Sequence, residues 1–175
     1  MTWYAIRGTF LALLLLAGPA WAEPSASVLD GDTLKLNGVT YRLHGIDAPE
    51  KTQVCQRDGM DWLCGQEAAA HLRGLVARRR VTCEAQDRDR YGRVVAICRA
   101  GGEDLNRAMV RAGLAWAYTQ YSRAYETAEL EAQILENGVW AANVRAQPAW
   151  DWRRTRRHGG GSGTRANPGL TGFGR

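Results

Sequence analysis

Apolar and polar residues follow two distinct periods along this chain. Residues 26–36 alternate in the manner of a strand, with a break at Asp30-Gly31-Asp32. Asn37-Gly38 is a strong two-residue hairpin signal. Beyond it Val39, Tyr41 and Leu43 point one way and Thr40, Arg42 and His44 the other, which predicts a third strand up to Gly45. Residues 47–64 show no period and contain Pro49, Gly59 and two cysteines, so a long polar loop is expected there. Over 66–80 the period changes to that of a helix, with Ala69, Leu72 and Val76 in one stripe and Arg78, Arg79 and Arg80 in the last turn, where cations suit the dipole. Val81–Ala85 and Val94–Cys98 then read as a second hairpin turning at Asp89-Arg90-Tyr91-Gly92. Two more helices are expected. One spans 104–115, with Leu105, Ala108, Met109 and Ala112 on its apolar face. The other spans 121–137, with Tyr121, Tyr125, Ala128, Ala132 and Leu135 on its face and Gly138 ending it.

Three strands, a helix, a closing hairpin and added helices predict a mainly β fold with α, a five-stranded OB-fold barrel carrying about three helices. Both ends fall outside it. Residues 1–22 combine Arg7, an apolar run from Phe10 to Ala17, Gly18-Pro19 and the small-x-small Ala20-Trp21-Ala22, the pattern of a secretory signal peptide cut after Ala22. The run is short for a membrane span of ~20 residues, and no other stretch approaches one. The mature protein is therefore expected to be exported, periplasmic or secreted, with no membrane attachment after cleavage. Residues 151–175 are rich in Gly, Ser, Arg and Pro without apolar periodicity, and are expected to be a disordered basic tail. That leaves 23–150 as the domain.

This division alters the meaning of the charge. The whole chain carries 23 basic and 18 acidic residues, net +5, which by itself suggests a polyanion binder. The tail, however, holds six arginines and one acid, the leader holds Arg7, and the domain has 16 basic against 17 acidic residues. The fold itself is not basic. The tail is expected to add only salt-sensitive, non-specific attraction to polyanions.

Cys55, Cys64, Cys83 and Cys98 are an even set behind a leader, which favours disulfides. Three pairings are possible. Cys55–Cys64 and Cys83–Cys98 are favoured, the latter because the two cysteines lie symmetrically about Arg90-Tyr91, and opposed residues of a hairpin have Cβ atoms roughly 4.5–5.5 Å apart. A zinc site is the rival, but there is no C-x-x-C and no suitably placed histidine. His158 lies in the tail and His71 in mid-helix, and only His44 shares a face with a candidate site residue, Arg42.

Asp30, Asp32, Asp47 and Glu50 converge if the strands pair through Asn37-Gly38. Like charges so close call for a positive partner, and a hard divalent cation held by carboxylate and carbonyl oxygens supplies it. Asp30 is read as shaping the turn. Arg42 on the third strand and Arg93 at the start of the fifth suit phosphate oxygens. A cation, two arginines and a free carboxylate are a phosphodiesterase's requirements.

VLDGDTLKL, YRLHGIDAPE and DRYGRVVA, in that order and spacing and with the GQEAAAHL helix between, resemble the staphylococcal nuclease (thermonuclease) family over roughly residues 25–145. The resemblance implies an OB-fold, calcium-dependent nuclease acting on DNA and RNA. It implies that Asp32 and Asp47 bind calcium with the backbone carbonyl of Ala48, and that Glu50 orients or deprotonates the attacking water. Arg42 and Arg93 then clamp phosphate, and Tyr91 flanks the nucleotide. Tyr118 matches a base-stacking tyrosine, its local spacing being off by one residue. Ala48 replaces the namesake's threonine, and the loop KTQVCQRDGMDWLCG lacks the namesake's lysines.

The expectation is an exported, monomeric endonuclease with little sequence preference, leaving a 3′-phosphate and a 5′-hydroxyl. One alternative is a catalytically inactive OB-fold module that binds single-stranded nucleic acid. Such a relative should have lost at least one of Asp32, Arg42, Asp47, Glu50 or Arg93, and all are present. The other is an envelope-associated interaction platform anchored by its tail.

Overall fold

The computed structural model describes residues 26–159. The expected leader, and the expected tail from residue 160 onward, lie outside the described residues. The first strands are β1 (Ser27–Asp30), β2 (Thr33–Leu36), β3 (Val39–Leu43) and β4 (Ile46–Asp47). β1, β2 and β3 pair antiparallel through the turns at Gly31 and Asn37-Gly38, and the register sets Thr33 opposite Arg42. Asn37 and Gly38 both take positive φ, 51° and 82°, as their hairpin turn demands.

The loop expected over 47–64 is instead partly sheet. β5 (Cys55–Arg57) and β6 (Met60–Trp62) form a tight hairpin, and β11 (Val144–Arg145) adds a third strand. Asp58 (φ 54°) and Gly59 (φ 75°) make its turn. Asp-Gly is as good a hairpin signal as Asn-Gly, but strands of three residues are too short to show a period.

Helix α1 (Cys64–Val76) buries Ala68, Ala69, Leu72 and Val76. It stops before the arginines expected to close it, because Ala77 is extended and Arg78 takes φ 54°. Strand β7 (Val81–Arg88) pairs antiparallel with β8 (Val94–Ala100), and β8 also lies parallel to β3. β8 is therefore central, with Val94, Ala96, Cys98 and Ala100 all buried on its inner face. The hydrogen-bonded path runs β1-β2-β3-β8-β7, with β9 (Glu103–Asp104) attached to β8. The path holds five strands of mixed direction, yet among the described residues it does not close into a barrel. After Gly45 (φ 69°) the chain leaves β3, and β4 pairs with β10 (Trp116–Ala117) in a separate ribbon.

Helix α2 (Leu105–Arg111) is shorter than 104–115. It is capped by Asp104, whose side chain accepts from the Arg107 N–H. Asn106 lies buried beneath it. Its Oδ1 accepts the Cys98 N–H at 3.1 Å and its Nδ2 donates to the His44 and Ala96 carbonyls, so helix and sheet are tied through a satisfied polar core residue. Helix α3 (Glu126–Ile134) starts five residues later than expected. Tyr125, Ala128 and Ala132 are buried, while Tyr121 and Leu135, assigned to the same stripe, are exposed. A fourth helix, α4 (Ala149–Gly159), runs across the expected domain boundary at residue 150, so residues 151–159 are ordered helix and not tail. Gly113 and Gly138 approach back to back, where a Cβ on Gly113 would stand 2.0 Å from the Asn137 carbonyl oxygen.

Both disulfides of the favoured pairing are present. Cys83 and Cys98 face each other in the β7–β8 register, and Cys55–Cys64 ties β5 to the first residue of α1. Among the described residues no cysteine is free and no helix is long and apolar enough to cross a membrane.

Candidate active site

Two short connections bring the acids together. Asp30 ends β1, Asp32 sits in the β1–β2 turn, and Asp47 ends β4, with Glu50 three residues on. Asp47 is wholly buried and Asp32 is 4% exposed. Arg42, opposite Thr33, reaches both: Nη1 lies 2.8 Å from Asp32 Oδ2 and Nη2 2.6 Å from Asp47 Oδ1. Asp32 also accepts the Thr33 hydroxyl at 2.8 Å and the Ala48 N–H at 3.3 Å. These bonds hold Ala48, itself 3% exposed, against the Asp32 carboxylate. Burial pushes the Asp47 carboxyl upward, while the guanidiniums beside it oppose the shift.

Asp30 does more than shape its turn. It lines the same cavity, and its carboxyl is pushed up to about 6 by burial and by the charges of Asp32 and Glu50. Four carboxylates thus gather around one end of a cavity of 1090 Å³.

Arg93 stands on the β8 wall of that cavity. Its Nε donates to Asp89 Oδ2 at 2.6 Å, and Asp89 Oδ1 accepts the N–H groups of Tyr91 and Arg93. The Asp89 carboxyl is partly desolvated, yet it stays below its ordinary range because these donors prevail. The Asp89 turn therefore fixes the guanidinium plane of Arg93. Tyr91, 65% exposed, carries Arg90 and Arg93 over its ring at 4.9 and 5.6 Å. Tyr118, whose N–H donates to the Gly45 carbonyl at 2.8 Å, also lines the cavity, as does His44.

The structure thus gathers Asp32, Arg42, Glu50, Tyr91, Arg93 and Tyr118 around one cavity, with Asp47 and Ala48 beneath. It also adds residues that sequence reasoning missed. Arg153, from α4, places Nη2 2.8 Å from Asp47 Oδ2 and Nη1 2.6 Å from Glu50 Oε1. Trp150, one turn earlier, stacks on Tyr118 with centroids 5.2 Å apart and planes 6° from parallel. Trp150, Arg153 and Arg157 recur at i, i+3 and i+7 and all line the cavity, so a helical signal was present just before the glycines begin. Gln53, 1% exposed, accepts the Glu50 N–H at 3.2 Å and donates to the Gln147 carbonyl at 2.6 Å, joining the Glu50 loop to the approach of α4.

Among the described residues no three Asp, Glu, His or Cys side chains form a ready coordination sphere. The donor chemistry nevertheless suits a hard cation. Asp32, Asp47 and the Ala48 carbonyl offer oxygen only, the donor set a hard cation takes, and Arg42 and Arg153 are ion-paired with Asp32, Asp47 and Glu50 there.

The sequence profile described as Staphylococcal nuclease homologue matches residues 40–142. The Rhizobium meliloti (strain 1021) protein named Succinoglycan biosynthesis protein ExoI is 42% identical over 149 residues, covering 81% of this chain and 76% of that protein. Micrococcal nuclease of Shigella flexneri is 33% identical over 171 residues, covering 86% of this chain and 92% of its own length. An Escherichia coli protein named Uncharacterized endonuclease is 37% identical over 133 residues, covering 72% and 80%.

Proposed function

The chain belongs to the staphylococcal nuclease family, and from that premise we propose that it is an exported, calcium-dependent endonuclease that hydrolyses DNA and RNA with little sequence preference. It is a nuclease of a metal-dependent family. The observation that carries the finer reading is the buried Asp32–Arg42–Asp47 cluster set beside Glu50 in a cavity that Arg93 and Tyr91 also line.

A calcium ion held by Asp32, Asp47 and the Ala48 carbonyl would supply positive charge to the phosphate and polarise it. The chain's own residues do the rest. Glu50, its backbone N–H held by Gln53, takes a proton from the attacking water. Arg42, fixed between two carboxylates, donates to a phosphoryl oxygen as negative charge builds. Arg93, fixed by Asp89, serves the departing oxygen's side. Tyr91 and Tyr118 offer ring faces to the nucleotide. The family resemblance supports a 3′-phosphate and a 5′-hydroxyl as products, and an OB-type barrel as the frame behind the open mixed sheet. Two disulfides support export, with residues 1–22 as the removed leader.

The test is digestion of single-stranded DNA in calcium, with and without chelator. Activity that survives both the chelator and Glu50→Gln refutes this mechanism.

A further inference from the structure

Helix α4 lies outside residues 40–142, where the family profile matches, yet it lines the cavity and reaches its carboxylates. Of its side chains that line the cavity, Trp150 and Arg153 occupy two different subsites. The Arg153 guanidinium bridges Asp47 and Glu50: Nη2 to Asp47 Oδ2 at 2.8 Å, Nη1 to Asp47 Oδ1 at 3.2 Å, and Nη1 to Glu50 Oε1 at 2.6 Å. A positive charge therefore already sits on the carboxylate pair that would serve cation and water. The Trp150 indole lies flat on Tyr118 at 5.2 Å, in the way a nucleobase would, and is itself braced edge-on by Trp116 at 6.1 Å. Gln53 clamps the chain before α4 through the Gln147 carbonyl.

We propose that α4 is an intrasteric plug, in which Arg153 stands in for the divalent cation at Asp47 and Glu50 and Trp150 stands in for a base on Tyr118. Cation and nucleic acid then enter by displacing the helix. This rests on the reading of Asp32 and Asp47 as cation ligands. The physical basis is competition. Asp47 offers two oxygens, and a guanidinium that engages both must leave, or turn away, before a hard cation can be held there. With Nη1 on its Oε1, Glu50 is likewise occupied and cannot receive a proton from water at that oxygen. Calcium affinity is thus lowered by the population of the docked helix. Once calcium neutralises Asp47, Arg153 has lost its principal partner, and binding at one subsite loosens α4 at the other.

The experiment is calorimetric titration of the full mature chain with calcium alone, for the wild type, Arg153→Ala and Arg153→Gln. The glutamine variant retains a long polar side chain on the helix. Both variants are expected to bind calcium at least tenfold more tightly than the wild type. In the wild type, calcium is expected to accelerate amide hydrogen exchange over residues 153–159 while α1 keeps its protection. Equal or weaker affinity in both variants, or unchanged α4 protection at saturating calcium, overturns the plug and leaves the cation site standing. Calcium binding by none of the three proteins overturns the cation-site reading, and the plug with it.

Discussion

Gly65 is the position where a single methyl group would test whether backbone placement of Glu50 matters. It is the second residue of α1, and its surroundings leave no room. A Cβ built there would stand 1.8 Å from the Glu50 carbonyl oxygen and 2.7 Å from its carbonyl carbon. To reach even 3.0 Å from that oxygen, the helix start or the Glu50 loop must give by about 1.2 Å. The helix start is anchored by the Cys55–Cys64 disulfide and by packing of Ala68 and Leu72, both fully buried. The loop is the softer element, so Glu50 moves. A displacement of this size at a residue that must meet a water and a phosphate lowers turnover by about 10²-fold, and the strain destabilises the fold by about 1–3 kcal/mol. Gly74→Ala on the same helix is the control. Nothing lies within 4 Å of its Cβ, so it should gain about 0.5–1 kcal/mol from helix propensity and keep full activity. The assay is the calcium-dependent kcat on single-stranded DNA, measured well below each variant's melting temperature. A folded Gly65→Ala protein with kcat within about threefold of wild type refutes the claim that the Gly65–Glu50 contact positions the carboxylate.

Three further outcomes follow from the same geometry. Arg42→Ala leaves two buried carboxylates short of a partner. It should destabilise the calcium-free protein by about 3–5 kcal/mol, and added calcium should raise the melting temperature of the variant more than that of the wild type, read by thermal scanning. Replacing both Cys83 and Cys98 with alanine opens a cross-link of sequence separation 15 and should remove about 3 kcal/mol in a chemical-denaturation experiment. An unchanged midpoint would deny the bridge a role in stability. Asp30→Asn bears on pH. The Asp30 carboxyl has a folded value of about 6 against an ordinary 3.8, so ionised Asp30 opposes folding above pH 6, and this penalty fades as pH falls through 6 toward 3.8. The melting advantage of Asp30→Asn over wild type, without metal, should be largest at pH 7 and shrink on acidification. A gap that widens instead would contradict the sign.

The parts of the fold that were legible were those with local causes. Strand alternation placed Leu43 inward and Arg42 on the opposite side, and Asn37-Gly38 set the hairpin that carries them. The symmetry of Cys83 and Cys98 about Arg90-Tyr91 matched the β7–β8 register. Local pattern failed where elements are very short. The β5–β6 hairpin and the β4–β10 ribbon are two or three residues per strand, too few for a period to emerge. It also failed where a backbone break overrode a periodic stripe, as at Ala77-Arg78 and before Glu126.

The sequence by itself determined which groups could do chemistry. Asp32, Arg42, Asp47 and Glu50 fall within nineteen positions on strands joined by short turns, so pairing rules alone bring them near one another. Tertiary structure decided what each group faces. Arg42 lies locked between carboxylates, Asp30 is a cavity carboxylate with a raised pKa, and Arg153 docks on Asp47 across 106 residues of chain. An ion pair that spans so much sequence leaves no periodic trace, because its attraction depends on distance in space and on burial and not on spacing along the chain. The arginines of residues 153–157, read in sequence as one loose basic run, separate in the structure into Arg153, which grips the candidate active site, and the solvent-exposed Arg154, Arg156 and Arg157, of which Arg154 and Arg157 also line its cavity.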